Sequence, residues 1–223
     1  MSLLKHKTNN LAIFHTFKTK TTQLTGEAKR QRYIISHLAS EGDSITRTRT
    51  AIAQHIAEKN GIIWKNIYSG VFRDLDEVLI PLNIVMEDGR LPLTRGPKAL
   101  QETGVPFYKL TIKGLLVALG LSELKGKEGV LQQFLSKSEI KENHFKESIK
   151  ILAKISPSFA YSIFEKYIRA YCDGKVKDIM PFNIIDLKKL SGQTFKIQKE
   201  LLEGFSTLSK SDKNTVLDMF VGK

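Results

Sequence analysis

The stretch KNGIIWKNIYSGVFRDLDEVLIP, residues 59–81, has an apolar stripe at helical spacing that includes Ile67, Val71 and Leu75. Polar and basic side chains lie beside this stripe. Off the stripe, near the start of the segment, lie Lys65, Asn66, Tyr68, Ser69 and, further along, Arg73. Lys and Arg donate hydrogen bonds to guanine edges, Asn bonds adenine through two groups, and Ser or Tyr reaches phosphate or base. These residue types suit contact with nucleic acid. The alternative is the solvated back of an ordinary core helix.

Other chemistry finds little support in the sequence, which contains no glycine-rich phosphate loop, paired-cysteine site, nucleophile elbow or paired-histidine metal signature. His144 and Glu147 would share a helix face, but a metal site there would need ligands from elsewhere, so a solvated charged face is favoured. Three acids that could suggest a metal-dependent nuclease follow no pattern: Asp173, Asp178 and Asp186. We therefore expect no catalysis and no metal or cofactor.

Composition narrows the class of partner. The 223 residues carry 35 Lys and Arg against 23 Asp and Glu, and the resulting net charge of +12 favours nucleic acid or an acidic membrane surface. Apolar residues make up 41% of the chain, enough to bury a core in one large or two small domains. The single Cys172 cannot form an internal disulfide, and no apolar run approaches the roughly 18 residues of a membrane span. We expect a soluble cytoplasmic protein.

The positions of apolar residues predict helices in the first part of the chain. Residues 1–25 form a basic arm without acids, and its apolar patch LAIF, residues 11–14, is expected to dock on the domain, although the arm could instead touch phosphate. Three helices follow, with predicted limits of about 26–42, 44–61 and 63–80, and Pro81 breaks the last of them.

Two strands come next. The segment LNIVMEDGR predicts a strand that ends in a turn at Asp88 and Gly89, and PFYKLTI predicts a second strand of β-branched and aromatic residues. The 19 residues 88–106 between them hold several glycines and prolines, and a connection of this length in a compact domain is usually functional or disordered. The following KGLLVALGL predicts another helix.

Beyond a cluster of Gly and Lys at 122–129, which indicates a boundary, only helical periodicity remains. It predicts five helices: about 128–136, 139–155, 157–172, 182–204 with a break at Ser191 and Gly192, and 211–221. Apolar stripes between Phe145 and Ile168 suit either an internal core or a dimer interface.

The order helix, helix, turn, helix, strand, long loop, strand, helix resembles a winged helix-turn-helix domain over residues 26–121. TAIAQHIAEKNGI looks like the second helix of that family, with small Ala53 facing the third, and YKLTIKG resembles its recurrent Tyr-x-Leu-Thr-x-Lys-Gly ending of the second wing strand. The resemblance implies a mainly α fold with a small β-hairpin. It implies a basic arm at 1–25, a winged helix-turn-helix domain at 26–122 and an all-helical domain at 123–223.

The resemblance also implies a nucleoid-associated protein that binds double-stranded DNA and regulates transcription. The third helix would pack on the second and place its first turns in the major groove, which is about 12 Å wide. Arg47 and Arg49 precede or begin the second helix, where the helix N-terminus and the guanidinium groups could together clamp phosphate. The alternative is an ordinary charged loop. The wing, 88–106, would bring basic residues to the backbone or the minor groove, namely Arg90, Arg95 and Lys98. It is longer than the family's usual hairpin, so it could instead include an extra strand at RLPLT or contact a partner.

The family layout further suggests a homodimer formed through the helical domain at 123–223. A different hypothesis treats the winged helix as a protein-interaction module in a replication or transcription assembly. A nucleic-acid-processing enzyme is less favoured, because the sequence offers no catalytic set.

Overall fold

The protein is described here by a computed structural model that covers residues 10–61, 64–93 and 98–221. It is mainly helical with a small two-stranded antiparallel sheet, which confirms the predicted fold class at that level. The chain divides into two compact units, Met1–Phe182 and Asn183–Lys223. The boundary expected near 122–123 lies inside the first unit.

The first unit contains eight helices and both strands within its described residues. They are α1 (Gly26–Ser40), α2 (Arg49–Asn60), α3 (Trp64–Arg73), β1 (Val85–Leu91), α4 (Lys98–Thr103), β2 (Val105–Leu110), α5 (Ile112–Leu119), α6 (Lys127–Lys137), α7 (Asn143–Ile155) and α8 (Pro157–Cys172). A 3₁₀ turn at Ile45–Arg47 precedes α2. The second unit contains α9 (Ile184–Thr207) and α10 (Lys210–Val221).

Threonine side chains begin three of these helices. Thr25, Thr48 and Thr111 each accept a hydrogen bond from a backbone N–H in the first turn, of α1, α2 and α5 respectively. Such a cap satisfies one of the N–H groups that have no partner within the helix. Gly61 ends α2 in a left-handed conformation (φ 63°), which glycine adopts without steric strain.

The third predicted helix is present, but it changes geometry. It is α-helical to Arg73 and continues as a π-helical segment at Asp74–Leu79. The predicted inward positions Val71 and Leu75 are fully buried. The acidic Asp74 is fully buried, and the guanidinium of Arg30 on α1 reaches it: Arg30 Nε donates to Asp74 Oδ2 over 2.5 Å.

Gly70 lies directly against this buried ion pair. A Cβ atom at that position would lie 2.8 Å from Arg30 Nε, so a side chain there would force the guanidinium to shift. The space above Gly70 is thus occupied by an arginine side chain from α1.

The turn predicted at Asp88 and Gly89 is not formed in the hairpin. β1 runs through both residues, and Gly89 lies opposite Phe107 on β2, with an irregularity in the register after Glu87. Gly89 has a φ of 153°, and the ring of Phe107 lies 2.9 Å from where a Cβ would be. The dipeptide therefore forms a bulge rather than a turn. The connection between the strands shortens to 92–104 and contains α4.

The core of the first unit forms around α5, whose residues 113–119 are all buried. The N-terminal patch docks on α1 as expected, since Leu11 and Ile13 are almost fully buried and Ala12 N donates to Gln31 Oε1 over 2.9 Å. The stripes on α7 and α8 contribute to the core rather than to a free surface: Ile149, Ile163, Phe164, Tyr167 and Ile168 are buried.

The C-terminal helices match their predicted limits closely, with one exception. No break occurs at Ser191 and Gly192, because α9 runs through both residues without interruption. A glycine inside a helix destabilises it by only about 1 kcal/mol, which is too little to end a long helix. None of the helices in the described part of the chain has the length and apolar character that crossing a membrane would require.

The YKLTIKG segment forms the junction between β2 and α5. Thr111 Oγ1 donates to Asn83 O over 2.6 Å and accepts from Gly114 N over 3.0 Å. A Cβ on Gly114 would lie 2.1 Å from Ile84 O, so the start of α5 packs directly on the backbone before β1. Lys113 Nζ lies 2.8 Å from Asp178 and stands over the ring of Tyr171. The motif thus serves the architecture of the first unit.

Gly114→Ala should lower the free energy of unfolding by about 2–4 kcal/mol, because the added methyl would push α5 away from the backbone at Ile84. Denaturant unfolding followed by circular dichroism measures the change. The matched control is Gly129→Ala in α6, where a Cβ meets nothing within 4 Å and alanine should stabilise by up to about 1 kcal/mol. An equal change in the free energy of unfolding in the two variants would contradict the close packing at Gly114.

Candidate nucleic-acid interface

One face of α3 carries polar and basic side chains at a spacing of four residues. Lys65, Ser69 and Arg73 are exposed, while Val71 and Leu75 on the other side are fully buried. Residues four apart lie one above another on a helix, so the three exposed side chains form a single row. We call this row, Lys65, Ser69 and Arg73, the α3 row.

α3 packs against α2 behind this row. The small Ala53 on α2 is fully buried, as expected for a residue that lets two helices approach closely. Tyr68 and Phe72 are half-buried beside the row, with ring centroids 4.4 Å apart. The side chain of Asn66, also expected near the row, lies outside the described residues.

Arg49 joins three elements of the unit. Its Nε donates to the hydroxyl of Tyr108 over 2.6 Å, and its guanidinium forms an ion pair with Asp76. The same group lies over the ring of Phe72 at 4.6 Å and over that of Tyr108 at 5.4 Å. Tyr108 is almost fully buried, and burial raises the pKa of its hydroxyl, which therefore stays protonated. We call Arg49, Phe72, Asp76 and Tyr108 the Arg49 cluster.

Arg47 is held to the hairpin in a similar way. Its Nη1 donates to Asp88 Oδ2 over 2.8 Å and to the carbonyl oxygen of Tyr108 over 3.1 Å. Lys109 Nζ lies 2.7 Å from the other oxygen of Asp88. The hydrogen bond from Lys109, together with that from Arg47, lowers the pKa of Asp88. Both arginines expected to clamp phosphate thus have carboxylate partners within the protein.

The wing residues are only partly described. Arg90 is exposed on β1 and paired with Glu87, with Nε 2.7 Å from Glu87 Oε1. Lys98 is exposed at the start of α4. Arg95, the third basic residue expected in the wing, lies outside the described residues. Sequence reasoning missed Lys109, although its position between buried Tyr108 and Leu110 on a strand identifies it as outward-facing.

Two further observations concern metal-binding groups and the single thiol. Across residues 10–61, 64–93 and 98–221, the His, Cys, Asp and Glu side chains form no group of three or more that could hold a metal ion. Cys172 is half-buried, and burial raises the pKa of its thiol to about 12. The thiol is therefore protonated at neutral pH, and a protonated thiol is a poor nucleophile.

No protein-family model, curated protein or solved structure matches this chain. The α3 row and the Arg49 cluster are therefore the features of this protein that bear on its function.

Arg49→Lys should lower the free energy of unfolding by about 1–2 kcal/mol. A lysine ammonium cannot lie flat between two rings while it also bonds a hydroxyl and a carboxylate. Chemical denaturation measures the difference. Arg90→Lys is the matched control, and it should leave stability unchanged within error, because the Arg90 pair is exposed to solvent. Equal losses in the two variants would contradict the structural role of the Arg49 cluster.

Asp88→Asn should change how stability depends on pH. A carboxylate whose pKa is lowered on folding stabilises the fold above its unfolded pKa of about 3.9, and this contribution disappears as pH falls through the folded pKa. The variant should be less stable than the wild type by about 1–2 kcal/mol at pH 7, and the two curves should converge below about pH 4.

Thermal unfolding between pH 2 and 7 tests this dependence on Asp88. Glu203→Gln provides the control, since Glu203 pairs with Lys199 on the exposed surface of α9 and should leave the pH curve unchanged. A constant difference between Asp88→Asn and wild type at every pH would contradict the predicted linkage.

Proposed function

We propose that residues 26–121 form a winged helix-turn-helix unit that binds double-stranded DNA and acts in the regulation of transcription. The observation that carries the proposal is the α3 row, Lys65, Ser69 and Arg73, exposed on one face of a helix whose opposite face is buried. The net charge of +12 supports a polyanionic partner.

The dimensions of the row suit a DNA groove. From Lys65 to Arg73 the helix rises about 12 Å, at roughly 1.5 Å per residue, and the major groove admits an α-helix of this kind. Lys and Arg donate to guanine or to phosphate, and Ser bonds either base or phosphate. The acids Asp76 and Glu77 follow Arg73, so the part of the helix that faces the groove ends at about Arg73.

In this proposal the Arg49 cluster positions the reading helix rather than touching DNA. Arg49 connects α2, α3 and β2, and it therefore holds the α3 row at a fixed angle to the hairpin. Arg90 and Lys98 are exposed on the hairpin and its connection, where they suit contact with the DNA backbone or the minor groove. Arg47 would reach phosphate only by leaving Asp88.

A second candidate, a protein-interaction module in a replication or transcription assembly, is favoured by one observation. Three arginines expected to contact DNA already have carboxylate partners in the protein: Arg47 with Asp88, Arg49 with Asp76, and Arg90 with Glu87. These pairs lower the positive potential of the hairpin side, which matters less for a protein partner than for DNA. We place this candidate second because Lys65 and Arg73 keep the α3 row basic.

Direct binding is tested by fluorescence anisotropy with labelled duplex DNA of random sequence at several salt concentrations. The wild type should bind at low salt, and its affinity should fall steeply as salt rises. Lys65→Ala and Arg73→Ala should each weaken binding, and a lost phosphate contact should reduce the slope of log affinity against log salt by about 0.9. Lys137→Ala on α6, an exposed lysine outside residues 26–121, is the matched control.

Each other outcome has a definite meaning. No binding at low salt would overturn the DNA proposal and leave the protein-interaction module as the better candidate. Equal loss in Lys137→Ala and Lys65→Ala would indicate attraction by net charge alone, without a role for the α3 row. Cleavage of the duplex in the presence of Mg²⁺ would indicate a nucleic-acid-processing enzyme instead.

A further inference from the structure

A small polar cleft lies between α1 and α2 in the first unit. α1 lines it with a stripe of side chains at helical spacing that begins at Tyr33 and ends at Glu41, and α2 lines it with His55 and Lys59. The segment 123–125, which follows α5, forms a third wall. The cleft has a volume of about 190 Å³. We call it the α1–α2 cleft.

His37 lies in the middle of the α1 stripe and uses only one of its ring nitrogens. Nε2 is 2.8 Å from the carbonyl oxygen of Thr46. A carbonyl only accepts hydrogen bonds, so Nε2 carries the proton, and Nδ1 of the neutral ring is then an acceptor. Burial lowers the pKa of His37, which favours this neutral form at pH 7. Nδ1 is buried, and no group in the described part of the chain bonds it.

Ser36 contributes a second polar atom of this kind to the same cleft. Its hydroxyl oxygen is also buried and has no hydrogen-bond partner among the residues that the structure describes. Buried polar groups are nearly always hydrogen-bonded, because an unpaired group loses its bonds to water without replacement. Two such atoms in one cleft indicate a polar occupant. That occupant needs a donor for Nδ1 of His37 and an acceptor for the Ser36 hydroxyl.

The charged side chains of the two helices are separated by sign along the cleft. The ring centroids of His37 and His55 are 4.6 Å apart. Lys59, one turn further along α2, places Nζ 5.0 Å from the centre of the ring of Tyr33, one turn earlier on α1. The helices therefore run antiparallel here, and Lys59 lies at the Tyr33 end. Glu41 lies at the other end, about 12 Å away along α1 at roughly 1.5 Å per residue.

The third wall adds a second ammonium group at the Tyr33 end. Arg32, which precedes Tyr33, holds this wall in place, because its Nε donates to Glu123 Oε1 over 2.5 Å. That carboxylate is thus balanced by an arginine within the protein. Lys125, two residues further on, is exposed and lines the cleft. The carboxylate of Glu41, at the opposite end, accepts a hydrogen bond from the Thr46 hydroxyl over 3.3 Å.

We propose that the α1–α2 cleft binds a small zwitterion of the dipeptide class, with its carboxylate at Lys59 and Lys125 and its ammonium group at Glu41. The amide between the two charges would donate its N–H to Nδ1 of His37 and accept from the Ser36 hydroxyl through its carbonyl oxygen. About 190 Å³ holds roughly six water molecules, which limits the occupant to about ten non-hydrogen atoms. Glycylglycine is of this size, and the long side chains of Lys59 and Glu41 span the remaining distance.

Entry of the ligand requires a movement of His55. The two unpaired atoms are buried, and the exposed side chain of His55 lies against the ring of His37. Exposed side chains change rotamer within nanoseconds, so His55 can turn aside without unfolding either helix. A ligand that contacts both α1 and α2 then stabilises their packing. This inference does not depend on DNA binding.

The test is a titration of the ¹⁵N-labelled full chain with glycylglycine at neutral pH, followed by two-dimensional NMR. Amide signals of α1 and α2 should shift with a dissociation constant of about 1 mM or lower. N-acetylglycylglycine lacks the ammonium group and glycylglycinamide lacks the carboxylate. Each should bind at least about tenfold more weakly, because each loses a charge-assisted hydrogen bond.

Two variants test the residues at the ends of the cleft. Lys125→Ala should weaken glycylglycine binding at least about threefold, and Glu41→Gln should do the same. Lys137→Ala on α6 is the matched control, since this lysine is exposed and does not line the cleft, and it should leave the affinity unchanged within error. The dispersion of the NMR signals checks that each variant is folded.

Each contrary result has a definite meaning. No shift of the α1 and α2 signals with glycylglycine at about 10 mM would overturn the proposal. Equal binding of the acetylated dipeptide, or tighter binding of inorganic phosphate at the same amides, would replace the zwitterion site with an anion site. Equal affinity in Lys125→Ala and Lys137→Ala would overturn the assignment of the carboxylate to this cleft. Loss of DNA binding alone would count only against the DNA proposal.

Discussion

The guanidinium of Arg49 is the contact on which the arrangement of the proposed interface depends. It lies over the rings of Phe72 and Tyr108, bonds the Tyr108 hydroxyl and pairs with Asp76. These groups belong to three different elements, so a single side chain fixes α2, α3 and the hairpin relative to one another. An arginine can do this because its planar group stacks on rings through its faces and donates hydrogen bonds from its edge.

Some basic side chains of this protein form ion pairs that stabilise the fold, and others are exposed to solvent. Arg30 forms an ion pair with the buried Asp74. Arg47 and Arg49 form ion pairs with carboxylates next to the hairpin. A net charge of +12 therefore overstates the positive potential at the hairpin. Lys65 and Arg73 remain exposed on α3, which is why the proposed contact with DNA rests on that helix rather than on the arginines of α2.

Apolar stripes differ in their burial between the two units. Ile149, Phe164 and Ile168, on helices of the first unit, are buried in its core. The stripe on α9 is equally regular in sequence, but Ile197 and Leu201 are about half-exposed. Periodicity indicates which face of a helix is apolar, whereas the tertiary structure shows whether that face is already covered within the chain.

The sequence by itself determined the features that depend on local periodicity and capping. It predicted most of the helices, the buried face of α3 at Val71 and Leu75, and the exposed positions of the α3 row. Only the tertiary structure decided the rest. Asp88 with Gly89 forms a bulge, and the ring of Phe107 on the opposite strand occupies the place where a side chain at Gly89 would lie. In the same way Arg30, from another helix, lies where a side chain at Gly70 would lie. Such contacts join residues distant in sequence, so no local pattern contains them.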